Sequence, residues 1–212
     1  MMIENVKKLY QEAFDQHGNS LDAVFIPKGR QLERFISLLT YVRKESFSIL
    51  DYGCGLGQMA DYVKQKFPQA DYLGVDIVED FISENNSKYD FGKFEMISDC
   101  YDVKDNYDVI AAAGVFNLLY VQDRAEHQNI VYDNLSHLFS KTNDVLSVNF
   151  MTDQVDFIQE GAFHQSVSDL YDFAKKNLTK RVAIDESYMP YEFTFHFFKD
   201  QTILRPDNIY NS

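Results

Sequence analysis

Two hydrophobic periods take turns along the chain. Val6, Leu9, Tyr10, Ala13 and Phe14 recur at helical spacing and predict a first helix ending near His17-Gly18. A connector over 19–29, carrying Pro27 and Gly29, separates it from a second helix marked by Leu32, Phe35, Ile36 and Leu39. From Phe47 onward, short apolar runs alternate with amphipathic stretches. The runs at 47–50, 72–76, 94–99, 107–114 and 144–150 predict buried strands. Between them lie helical patterns: Met59, Ala60, Val63 and Phe67; the stretch 79–88; and Ile130, Val131, Leu135, Leu138 and Phe139. A helix around Leu170, Phe173 and Ala174, capped by Ser166 or Ser168, leads to closing strands at 179–185 and 192–198. The last of these alternates Phe193, Phe195 and Phe197 with Glu192, Thr194 and His196, as an antiparallel strand with unlike faces would. The succession predicts one α/β domain over 1–212, with a helical leader at 1–45 and a core at 46–200. Its sheet has seven strands, mostly parallel with the last antiparallel, and helices on both faces.

The chemistry concentrates just after the first strand, in Asp51-Tyr52-Gly53-Cys54-Gly55-Leu56-Gly57-Gln58. Glycine permits positive φ and lets the backbone lie directly against a ligand. Asp76 ends the second strand at about the 20-residue offset where nucleotide-binding βαβ units place a carboxylate on ribose hydroxyls. Glycine turn and second-strand acid together predict an adenosine-containing ligand. A dinucleotide fingerprint would need its third glycine at position 58, which is Gln58. A pyrophosphate also gains nothing from the carboxylate of Asp51. A ligand carrying a cationic amine and a sulfonium would gain from it.

On these residues, 49–58 resembles motif I of the class I S-adenosylmethionine (SAM)-dependent methyltransferases. Leu73-Gly74-Val75-Asp76-Ile77 resembles the ribose-binding motif that follows it. The similarity runs over about 47–199. It implies a Rossmann-like fold, SAM as cofactor, methyl transfer to the oxygen or nitrogen of a small-molecule acceptor, and a leader that covers the pocket. By resemblance, Asp51 would orient the loop and the cofactor's amino group, and Gly53, Cys54 and Gly55 would form the turn. Gly57 has the alternative of serving only close helix packing. Asp76 would hold the ribose, with Ile77 packing on adenine. Asp99 would accept from the adenine amino group and Cys100 would contribute backbone, a solvated turn acid being the alternative for Asp99. Ala113 would offer its carbonyl to the methionine amine. Among Lys28, Arg30, Gln31 and Arg34, the expected partner of the cofactor carboxylate is Arg34.

Acceptor-side candidates are Asn117, Tyr120, Tyr188, Tyr191 and His164, the last as base if the acceptor is an alcohol. The connector 151–165 is long enough to form a lid or acceptor wall. The Asn/Asp-Pro-Pro-Tyr/Phe signature of many nucleic-acid and protein amino-group methyltransferases is absent, which weighs against those substrates. The wider layout, including Phe14-Asp15-Gln16-His17-Gly18 and Gly114-Val115-Phe116-Asn117, looks like a bacterial branch of small stand-alone methyltransferases and names no acceptor.

Composition narrows the rest. At 212 residues and 45% hydrophobic, the chain suits one full core. A net charge of −13 argues against a sequence-independent grip on nucleic acid and against an anionic membrane surface. Cys54 and Cys100 lack metal-type spacing, so no metal site and a reduced, cytoplasmic protein are expected. No stretch approaches membrane-spanning length. Two rivals stand beside the methyltransferase reading. One is a non-catalytic partner or regulatory subunit on the same fold. The other is a nicotinamide-dependent oxidoreductase, against which Gln58 and the antiparallel last strand both count.

Overall fold

The computed structural model describes residues 2–24, 30–119 and 121–199; Lys28 and Tyr120 fall outside them. The leader holds α1 (Met2–His17), a 3-10 turn (Leu21–Val24) and α2 (Gln31–Leu38). The core then alternates: β1 (Ser48–Tyr52), α3 (Gln58–Lys66), β2 (Asp71–Asp76), α4 (Glu79–Lys88), β3 (Lys93–Met96) and β4 (Tyr107–Ala113). It continues with α5 (Arg124–Ser140), β5 (Thr142–Thr152), β6 (His164–Gln165), α6 (Val167–Phe173), β7 (Val182–Asp185) and β8 (Glu192–Phe198). Ser166 is the residue that caps α6, its hydroxyl accepting from Asp169 N.

The sheet runs β3-β2-β1-β4-β5-β8-β7, and only β8 is antiparallel to its neighbours. This is the expected seven-stranded arrangement with one addition. The two-residue β6, inside the long connector, pairs parallel with the end of β5. Strand order reverses between β1 and β4, which leaves a crevice at the carboxyl ends of those strands.

Alternate residues on the buried strands feed two cores. Ile49, Val109 and Ala111 pack under α2, α3 and α4, while Leu50, Ile110 and Ala112 pack under α5 and α6. The helices therefore cover both faces. A smaller cluster, Ala23, Leu56, Val78 and Phe81, seats the leader, with Tyr10 and Phe14 edge-on to Phe81. Among the described residues, no helix is long and apolar enough to cross a membrane.

The apolar positions that mark α2 in the sequence divide between the two sides of the helix. In α2, Leu32 and Ile36 are 53% and 42% exposed, whereas Arg34, Phe35, Ser37 and Leu38 are buried. The reason lies in β8, whose Glu192, Thr194 and His196 are as buried as its phenylalanines. Helix α2 covers that polar face, so its inward stripe must itself carry polar groups. Arg34 reaches Glu192, Ser37 Oγ donates to Asp185 at 2.7 Å, and Tyr41 just beyond the helix packs edge-on to His196. Leu32 and Ile36 thus face outward, while Phe35, Leu38 and Leu39 keep an apolar seam against the sheet beside these polar contacts.

Candidate functional site

The glycine turn is shaped by its conformation. Gly53, Gly55 and Gly57 have φ of 75°, 50° and 72°, in the left-handed region that costs other residues about 1–2 kcal/mol. Space adds a second constraint. A Cβ on Gly53 would lie 2.4 Å from Val115 Cγ2, and one on Gly57 would lie 2.6 Å from the Tyr89 ring. Gly57 therefore serves close packing of the turn on α4.

Asp76 ties the turn to the second strand. Its Oδ2 accepts from Gly55 N at 2.9 Å and its Oδ1 from Val78 N at 3.0 Å. Burial still pushes its carboxyl above the usual range. Asp51, at the end of β1, accepts from Tyr72 Oη at 2.6 Å. Burial pushes it up to about 7; the Tyr72 bond opposes this and the charge of Asp76 adds to it. Two poorly solvated acids on one wall favour a cationic ligand, because a positive charge beside them restores the ionised forms.

These groups line a cavity of about 680 Å³, inside the range of about 300–1,000 Å³ that small-molecule sites occupy. Its wall brings together Asp51, Gly53, Cys54, Gly55, Asp76 and Ile77. Asp99, Cys100 and Ala113 join them, as do Arg34 and Asn117. Asp99 also caps the short helix Cys100–Asp102 by accepting from Tyr101 N at 2.8 Å. Cys100 is buried and its thiol is pushed up to about 12, while burial lifts Cys54 well above the ordinary thiol range. Both cysteines are free, and neither is a ready nucleophile. Among the described residues, no His, Cys, Asp or Glu cluster could hold a metal ion.

The structure departs from the expected roles at two positions. Arg34 is buried and bonded at two points to Glu192, through Nε to Oε2 at 2.6 Å and through Nη2 to Oε1. Its guanidinium is committed to a protein carboxylate rather than left free for a cofactor. His164 is not on the cavity wall at all. In β6, its Nδ1 lies 2.7 Å from Thr152 O, and its Nε2 accepts from Gln159 N at 3.4 Å. Backbone groups of the connector engage both ring nitrogens, so His164 holds the connector in place.

Asn117 lines the cavity with its Oδ1 accepting from Met151 N at 3.0 Å, which splices the end of β4 to that of β5. Tyr188 and Tyr191 are off the wall; Tyr188 Oη accepts from Asn149 Nδ2 at 2.7 Å and is pushed up to about 12 by burial. The connector does supply wall through Met151, Gln159 and Ala162. Sequence reasoning missed Tyr10, Glu192 and the pair Tyr101–Asp133, whose side chains meet at 2.6 Å. Only the helical stripe of α1 pointed to Tyr10. Nothing local marked the other three.

The raised acid gives a pH signature. Below about 3.8, Asp51 is protonated in both folded and unfolded chains, and its full contribution to stability is present. Between about 3.8 and 7 the unfolded chain releases the proton and the folded one keeps it, so stability falls as pH rises. His127 and His196, held down at about 4 by burial, work in the opposite direction over an overlapping window. The difference between wild type and Asp51→Asn isolates the acid. Urea unfolding from pH 4 to 8 should show it falling by a few kcal/mol towards pH 7, and a flat difference would remove the unusual titration.

Comparison with known proteins bears on the fold that carries these residues. Residues 50–144 match the family model for a methyltransferase domain. A Mycobacterium tuberculosis protein named as a methyltransferase is 26% identical over 155 residues, covering 71% of this chain and 92% of its own length. The malonyl-[acyl-carrier protein] O-methyltransferase of Acetivibrio thermocellus is 21% identical over 189 residues, 87% of this chain; the match spans 59% of that enzyme. In fold, the DhpI complex with S-adenosylhomocysteine (SAH) superposes with a TM-score of 0.65 at 17% identity. That match covers 92% of this chain and 95% of the other.

Proposed function

Because the chain is a class I SAM-dependent methyltransferase, we propose that it methylates a small-molecule acceptor held at the β4–β5 end of the cavity. One observation carries the reading: the turn and Asp76 form a single hydrogen-bonded unit on the wall of a cavity large enough for more than one ligand. When bound, SAM supplies a methyl group made electrophilic by its sulfonium. The residues present fit that cofactor. Asp76 would accept from its ribose hydroxyls, Ile77 and Ile97 would flank its base, and Asp51 would answer its positive charge.

The rest of the wall orients and dries the acceptor. Phe116 stacks between Tyr52 and Phe150, with ring centroids 6.3 and 6.0 Å away, and stiffens the β4 end. Leu118, Met151 and Ala162 continue the apolar surface. Holding two reactants in line and excluding water is most of what such a transfer requires of the protein. This acceptor-side space supports a catalytic role over that of a partner subunit. Calorimetry with SAM and SAH tests the reading: micromolar binding of both is expected, and binding of neither would end it.

A further inference from the structure

We propose that the bonded pair Tyr101–Asp133 makes the site selective for an unmodified adenine, by closing the cavity against a cofactor enlarged on the amino group of its base; the proposal rests on the methyltransferase reading above. Tyr101 follows β3, in the short helix Cys100–Asp102, and Asp133 lies on α5. Both line the cavity, and Tyr101 Oη donates to Asp133 Oδ2 at 2.6 Å. The bond joins two elements that stand 32 positions apart in the chain.

The base belongs at this end of the cavity. Asp51 and Asp76 stand at the ends of β1 and β2, and the sheet continues from β2 to β3 on one side and from β1 to β4 on the other. With the ribose on Asp76 and the sulfonium side of the cofactor toward Asp51, the base extends past the end of β3. Ile97, Asp99, Cys100 and Tyr101 supply the wall there, and α5 adds Ile130 and Asp133. The amino group of adenine is a hydrogen-bond donor. The carboxylates on this part of the wall are Asp99, two residues before Tyr101, and Asp133, bonded to its hydroxyl. On either acid, a substituent carried by the amino nitrogen is directed at the pair.

The enclosure is thin at this point. Ile97 and Cys100 are buried, whereas Tyr101 is 48% exposed and Asp133 is exposed as well. Side chains with the cavity on one side and solvent on the other form a wall one residue deep. What stands beside them is firm. The Tyr101 ring lies edge-on to His137 with centroids 4.8 Å apart, and His137 Nε2 is 3.1 Å from Val103 O. Ile97, Cys100 and Val103 pack in the same core as Val131 and Leu135 of α5. Buried contacts thus hold the short helix against α5, and the phenol ring closes what remains of the seam toward solvent.

Selectivity follows from what each ligand displaces. The unmodified base leaves the bond between Tyr101 and Asp133 intact. A benzyl group on the amino nitrogen has to break that bond and turn the ring out, and overpacking of this kind weakens binding by about tenfold to a hundredfold. The discrimination is thus a steric element set against the wrong ligand rather than an added contact to the right one. Removing the ring converts the wall into a window through which the same group reaches solvent. Because the pair stands at the surface, its loss leaves the buried seam in place.

The test uses the full chain and two ligands, SAH and SAH benzylated on the adenine amino nitrogen, measured by calorimetry on wild type, Tyr101→Ala, Tyr101→Phe and Asp133→Ala. The quantity compared is the ratio of the two dissociation constants, which a general loss of folding or of affinity for the shared part of the ligand does not move. Wild type is expected to bind the benzyl derivative at least about tenfold more weakly than SAH. Tyr101→Ala should bring the two within about threefold of each other. Tyr101→Phe and Asp133→Ala, which free the ring without deleting it, should narrow the gap by about threefold, and they decide the matter if Tyr101→Ala does not fold. Wild type that binds both ligands equally well, or a ratio that none of the variants lowers, overturns the proposal. Failure of SAH itself to bind wild type sinks the parent reading, and this one with it.

Discussion

Arg34→Met is expected to destabilise the folded chain by about 3–5 kcal/mol, a large part of the 5–15 kcal/mol that typically holds a domain together. The side chains of Arg34 and Glu192 are 8% and 10% exposed, so deleting the cation strands a carboxylate out of water. Most of the loss is that stranded charge rather than the worth of the pair. Adding Glu192→Gln to Arg34→Met should therefore recover most of it, since the oxygen of a neutral amide can still accept from Asn149. Urea unfolding of the two singles and the double measures the coupling. A single-variant loss under 1 kcal/mol would show that water reaches the pair and that α2 is not sealed to β8.

Asp76→Asn should separate stability from ligand affinity. The asparagine oxygen keeps one of the two amide bonds now made to Gly55 and Val78, and a costly buried charge is removed. Folding should change by no more than about 1–2 kcal/mol. Ligand binding has no such relief, because an NH2 group replaces an acceptor where hydroxyl donors are expected. Losing one charge-assisted bond costs about 1.5–3 kcal/mol, so SAH affinity should fall roughly tenfold to a hundredfold. Calorimetry on the folded variant reads this directly. An affinity within threefold of wild type would move the ribose site elsewhere.

What could be foreseen was what is local or repeats. The glycine turn, Asp51 and Asp76 lie within 26 residues and share one βαβ unit, so spacing alone assembled them. The mostly parallel sheet with its antiparallel last strand followed because strands joined by helical crossovers leave few alternatives. The misreadings concern partners that no local pattern marks. Arg34 was given to the cofactor because Glu192 stands 158 positions away, and no short-range pattern joins them. Leu32 and Ile36 marked a helix without showing which side of it would be covered, and a polar strand face beneath α2 leaves both outside. His164 was read as a base because a histidine in a long connector carries no sign of which backbone groups will hold its two nitrogens.

The leader, continuous in sequence, consists of two parts with different thermodynamic standing. Helix α1 rests on α4 mainly through rings, Tyr10 and Phe14 against Phe81, and through Gln11 with Asp80 and Asn19 with Glu84 near the surface. Lifting it would wet carbon and a few groups that water serves equally well. Lifting α2 would strip the counter-charge from Glu192 of β8 and the hydroxyl partner from Asp185 of β7. Solvent access to the crevice is therefore cheapest on the α1 side, and the α2 side behaves as masonry. Traffic of ligands in and out should follow that asymmetry: a hinged flank beside a fixed one.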